Sequence, residues 1–249
     1  MKKKILILVV LFLFLIVMFA PIKLAENFIP ENSSINISGM QGSIWSGTID
    51  NIEIKEWIAK DVDYHISAIS LLSGTLGGSG VIRKGDVKGE LSFEIADQNN
   101  LEISDANIEI SAFNFEKYIS FPGIELNGKI LTQDFFLHLV EKKPVTMSGI
   151  TSWKNASVNL NGKKWQLGDF NISWTTKSDK ELIVGIINKN LKNKLDIEGN
   201  INITKLGMLE YKGSIAASAE KAIFSAFSLF ANGKVQNGRL PIKFKKKIF

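Results

Sequence analysis

The chain has 249 residues, with 30 basic and 25 acidic side chains and a net charge of +5. Its length suits one large domain or two small ones, and the absence of cysteine excludes disulfides, thiolate metal sites and cysteine nucleophiles. The charge is unevenly placed. Lys2, Lys3 and Lys4 open the chain, and seven bases but no acid follow Glu220, so residues 5–220 hold 20 bases against all 25 acids. A nucleic-acid binder gathers basic residues on a face of its folded body. Here the body is mildly acidic, which argues against nucleic acid as a partner.

Residues 5–20 are apolar without interruption. As a helix they would span about 24 Å, slightly short for a bilayer core but workable with Ile22 and a snorkelling Lys23. Three readings compete: a cleaved signal peptide, a buried core helix and a retained anchor. No small-x-small cleavage site follows the run, since Phe19 and Pro21 flank Ala20. An unbroken run at the extreme N-terminus does not suit a core helix. The expected arrangement is therefore a cytoplasmic tail at 1–4, a transmembrane anchor at 5–22 and a domain at 23–249. The lysine triplet puts the N-terminus inside by the positive-inside rule. The expected location is the inner membrane, single-pass, with the C-terminal domain in the periplasm.

From Ser34 onward the dominant period is two. Val87, Gly89, Leu91, Phe93 and Ile95 alternate with Lys88, Glu90, Ser92 and Glu94, and similar runs occupy 106–112, 195–203 and 209–215. Such alternation reads as strands with one buried and one wetted face. About a dozen strands are expected at the spacing of a meander, sandwich or open barrel. Arg83-Lys84-Gly85-Asp86 and Asn161-Gly162 suggest hairpin turns. The expected fold is mainly β: an N-terminal transmembrane helix, then a large, mostly antiparallel, twisted or partly open sheet domain with one short C-terminal helix.

That helix is expected after Ser218 as N-cap and before Gly233, with Ile223, Phe224, Phe227, Phe230 and Ala231 as its apolar stripe. The plain reading, preferred because such a helix must bury its stripe somewhere, is a helix that plugs or caps one end of the sheet; the other is a contact with a partner or a membrane. Weaker helical turns are expected near 113–119. The last strand runs from Arg239, and its Lys245-Lys246-Lys247 suits either contact with anionic lipid or protection of an edge strand.

Catalytic signals are absent from the sequence. His65 and His138 lie in apparent strands, and no metal-ligand spacing or nucleophile elbow occurs. Asp61, Asp63 and His65 share one face opposite Val62, Tyr64 and Ile66, which reads as a solvated face. The glycine-rich stretch from Ser73 to Gly80 lacks a phosphate-loop lysine and reads as a flexible bend or a place where the sheet turns sharply. In Gly42-Ser43-Ile44-Trp45-Ser46-Gly47 a tryptophan sits between small residues in a strand or bulge. Trp153, Trp165 and Trp174 fall in middle strands, two near Asn-Gly or Gly-Asp turns, as core or cross-strand packers.

Four of these segments, in order, resemble the type II secretion system protein N family. Gly42, Trp45 and Gly47 match a G-T-L-W-x-G strand. Leu71, Leu72 and Gly74 match a following P-L-x-L-L-x-G segment, with Ile69-Ser70 where the family has Pro-Leu. Trp153 and Asn155 with Gly168 match W-x-N-A … L-G-D. Gly238 and Pro241 match the terminal N-G-R-x-P. The Lys-rich end departs from the pattern.

The resemblance implies a non-enzymatic accessory subunit, anchored in the inner membrane, that acts in protein secretion or in assembly of the secretion machine. It implies no catalytic residue, cofactor or metal, and its partners would be other secretion components (the inner-membrane platform or the secretin) and the lipid bilayer. The alternative is an AsmA-like protein that binds or transfers lipid in an apolar β-groove. An open, continuous apolar face would favour lipid transfer; a face filled by side chains would favour a scaffold.

Overall fold

The computed structural model describes residues 19–23, 34–118, 124–160, 162–177, 182–188, 195–216, 224–225, 228, 231 and 233–247. The described residues hold thirteen strands, which follow one another in chain order. The chain divides into two compact units, residues 1–95 and 96–249.

Unit 1 contains β1 (Ile35–Gly42), β2 (Ser46–Ile54), β3 (Trp57–Ile66), α1 (Ala68–Leu72), β4 (Leu76–Gly85) and most of β5 (Val87–Asp97). Consecutive strands pair antiparallel. The alternating pattern of β5 holds: Lys88, Glu90 and Glu94 are exposed and their apolar neighbours are covered. Among the described hydrophobics of this unit, only Met40 and Val62 are fully buried.

Unit 2 contains β6 (Asn100–Ser111), β7 (Ile124–Val140), β8 (Lys143–Leu160), β9 (Lys163–Lys177), β10 (Leu182–Asn188), β11 (Ile197–Thr204), β12 (Met208–Ala216) and β13 (Arg239–Lys247). A 3-10 helix, Ala112–Tyr118, follows β6, where weak helical turns were expected. Its core gathers Ala156, Trp165, Leu167, Phe170, Leu195, Ile215, Leu240 and Ile242. A Leu or Ile buried in this way gains roughly 1.5–3 kcal/mol over its exposed state.

Three expectations need correction. Arg83 and Lys84 belong to β4 rather than to a turn, because the reversal is tight: Gly85 takes φ +111° and Asp86 is fastened to Ile58. Gly168-Asp169 is no turn but lies inside β9. Trp45 stands in the β1–β2 loop and not in a strand or bulge. The expected anchor at 5–22 lies outside the described residues apart from its last four. No helix among the described residues is long and apolar enough to cross a membrane. Most of the expected C-terminal helix also lies outside them, but Phe224 and Ala231 of its stripe pack against the unit 2 core.

Candidate functional site

Asp61, Asp63 and His65 form no ligand set. Lys84 Nζ lies 2.6 Å from Asp61, Arg83 pairs with Asp63 and His65 is exposed. Lys84 is held protonated above the usual lysine range by its hydrogen bond and ion pair with Asp61. This is the solvated face that the alternation predicts. Among the described residues no group of three or more His, Asp or Glu side chains could hold a metal.

The residues singled out in the sequence instead shape the backbone. Gly42 and Gly47 face each other across β1 and β2. Gly42 has φ +103°, a region L side chains avoid. A Cβ on Gly47 would stand 2.0 Å from the Gln41 carbonyl oxygen. The glycine pair thus lets the hairpin close over Ser43, Ile44 and Trp45. Ser43 Oγ accepts from the backbone N–H groups of Trp45 and Ser46, both at 3.2 Å. The Tyr64 hydroxyl donates to the Ser43 carbonyl, and Ile66 N–H donates to the Trp45 carbonyl at 2.7 Å.

The second segment is a capped single-turn helix. Ser67 is its N-cap and accepts from Ser70 N–H. At the other end Gly74 takes φ +85°, Gly74 N–H donates to Leu71 and Thr75 N–H donates to Ser70. That is a Schellman closure, which requires a left-handed residue where Gly74 stands. Leu71 and Leu72 are not buried by it: Leu72 is 89% and Ile69 78% exposed. The glycine-rich bend expected here is this helix terminus followed by β4.

The third segment is a bulge lock. β8 carries one more residue than β7 and β9 do where it passes Asn155. Asn155 takes φ +51°, a conformation asparagine tolerates, and its N–H donates to Asp169 Oδ1 at 2.8 Å. Ala156, wholly buried, faces Gly168 at φ +106°. Trp153 spans the bulge as a cross-strand packer: its Nε1 donates to the Asn127 carbonyl at 3.0 Å and its ring tilts against Phe170. Trp165 is buried in the core, and Trp174 packs on Gly185 while donating to Thr151.

The fourth segment is a two-residue hairpin. Gln236 and Arg239 exchange both backbone hydrogen bonds, and Asn237 and Gly238 have φ +48° and +72°, the signature of a type I′ turn. Pro241 follows in β13 opposite Ser214. Between them lies a residue not singled out from the sequence. Arg239 reaches Ser214 Oγ at 2.7 Å, Asp196 Oδ2 at 2.9 Å and Glu198 Oε1 at 2.9 Å. It also donates to the Asp196 and Ser214 carbonyls. One guanidinium thus ties β13 to β12 and to the start of β11. The N-G-R-x-P signal was legible, but the acceptors are distant in sequence.

Beside this clamp, Tyr211 donates to the Glu198 carbonyl at 3.0 Å. Burial above all pushes its phenol up to about 12, with Arg239 opposing and Glu198 adding. The folded state therefore holds the phenolic proton more tightly than the unfolded chain does. Stability from this group is complete below pH 10 and is lost as pH rises from 10 to about 12. Alkaline titration followed by circular dichroism should show wild type weakening across that window. Tyr211→Phe should flatten this part of the profile.

These features define a β-sheet scaffold whose recurrent sequence signals encode turns, bulges and inter-strand ties. The chain belongs to the family described as type II secretion system (T2SS), protein N, whose profile matches residues 33–243. No curated protein and no solved structure matches it.

Proposed function

We propose that this chain is a non-enzymatic accessory subunit of the type II secretion system. Residues 5–22 anchor it in the inner membrane and residues 23–249 work in the periplasm, in secretion itself or in assembly of the machine. The observation that carries this reading is the family match across residues 33–243, a range that contains all four segments of the resemblance. The apolar run behind three lysines supports the anchor and its orientation. The core of unit 2 favours a scaffold over a lipid carrier, because Trp165, Phe170, Ile215 and Ile242 pack into one buried cluster and Phe224 packs against it.

Crosslinking from the domain in the native envelope tests the reading. Recovery of platform or secretin subunits is the expected result, and recovery of no secretion component would overturn it. A reporter fused after Phe249 should be active only in the periplasm.

A further inference from the structure

We propose that the tip formed by α1 seats on the outer surface of the membrane at which the N-terminal apolar run ends. This rests on residues 5–22 being the anchor.

The tip is apolar and outward-facing. Ile69 and Leu72, three apart on one helical face, are 78% and 89% exposed, and Leu71 beside them is 43% exposed. No charged side chain occurs between His65 and Arg83. The helix is held rigidly by its Ser67 cap and Gly74 closure. Exposed aliphatic side chains on a locked, uncharged turn are unfavourable in water unless something covers them.

The chain path supplies the occupant. The last residues of the apolar run are stitched to the β1–β2 loop: the Ala20 carbonyl accepts from Ile44 N–H at 2.9 Å, and Pro21 bridges Ser43. The next residue of that loop, Trp45, accepts from Ile66 N–H, and Ser67 then caps α1. The base of α1 therefore lies two strand spacings, about 10 Å, from the point where the run ends. Phe19 and Lys23 on either side of that point are exposed, an apolar and a cationic residue suited to acyl chains and to headgroups respectively. Trp45, half-buried in that loop, belongs to the residue type that collects at membrane interfaces. An apolar tip tethered this close meets lipid at an effective concentration that no free partner matches. Interfacial seating would sink its side chains about 5–10 Å into the headgroup–acyl boundary.

The lack of native cysteine makes the test direct. The full chain with Leu72→Cys carries an environment-sensitive fluorophore in phosphatidylethanolamine–phosphatidylglycerol vesicles with brominated acyl chains. Asn36→Cys, near the opposite end of β1, is the reference. Quenching at Leu72→Cys should exceed the reference about threefold, given that depth of seating. Moving the label to Leu71→Cys and adding Ile69→Asp and Leu72→Asp should bring it down to the reference. Both residues are exposed, so these changes leave the fold intact. Equal quenching at Leu72→Cys and Asn36→Cys, in a chain that resists alkaline extraction, would overturn the inference and leave the anchor standing. A label shielded in native envelope but unquenched in vesicles would show a protein partner on the tip and overturn it equally. Release of the chain by alkali would instead sink the anchor reading, and the inference with it.

Discussion

Arg239→Ala should lower the unfolding free energy of unit 2 by about 2–4 kcal/mol, a large part of what a domain this size has to spare. Arg239 and Asp196 are only 20% and 25% exposed at their side chains, so water replaces the lost contacts poorly. The guanidinium serves the Asp196 and Glu198 carboxylates, the Ser214 hydroxyl and two backbone carbonyls. Removing it takes away the cation that Asp196 and Glu198 share, the loss falling mainly on the less exposed Asp196. Arg239→Lys should recover less than half of the loss, because an ammonium on a flexible stem cannot span three strands as a planar fork does. Urea unfolding followed by circular dichroism checks this, as a shift in midpoint at constant slope. Lys243→Ala is the contrast. Its contact with Glu210 is 3.3 Å long and solvent-exposed on the lysine side, and its loss should shift stability by no more than about 0.5 kcal/mol. An Arg239→Ala midpoint as close to wild type as that of Lys243→Ala would show that the clamp contributes nothing.

Gly47→Ala should destabilise unit 1 by about 2–3 kcal/mol. The added methyl would stand 2.0 Å from the Gln41 carbonyl oxygen and 2.8 Å from the Tyr64 hydroxyl. The carbonyl belongs to paired backbone and cannot move without loosening β1 from β2. Gly74→Ala separates steric from conformational effects. At Gly74 φ is +85° but nothing lies within 4 Å of the added carbon, so only the left-handed backbone is penalised, by about 1–2 kcal/mol. Thermal unfolding of the two variants should rank them in that order; a Gly47→Ala chain as stable as wild type would refute the close approach. Gly47→Ala should also loosen the Ser43–Trp45 loop that fastens Ala20 and Pro21. Labelled as Leu72→Cys, it should therefore show weaker quenching by brominated lipid.

The β class and most strand positions were legible because a half-buried strand must alternate, and alternation survives in a linear string. In β5 the acids and Lys88 fall outward as read. The Asn237-Gly238 hairpin enters the sequence reading only as part of a family motif, although Asn-Gly supplies the two positive φ values such a turn needs. The bulge at Asn155 was not legible. It rests on a single extra residue, and Gly168-Asp169 looks like a turn until Asp169 is seen receiving the Asn155 N–H from the adjacent strand. The sequence suggests a strand or bulge at Trp45 for a similar reason. A tryptophan among small residues suits a strand, but the Gly42–Gly47 pairing puts the reversal on top of it.

The sequence by itself determined the antiparallel β character, the absence of thiol chemistry, the apolar run behind three lysines and the family resemblance. Each of these depends on composition, or on neighbours within a few residues. Only the tertiary structure decided what the segments do. Arg239 meets Asp196 and Glu198 across 43 and 41 positions of chain, and Ile44 receives the end of the apolar run across 24. Such pairings follow from strand register. Register is a property of the whole sheet, set jointly by every turn and bulge, and no local stretch of sequence carries it.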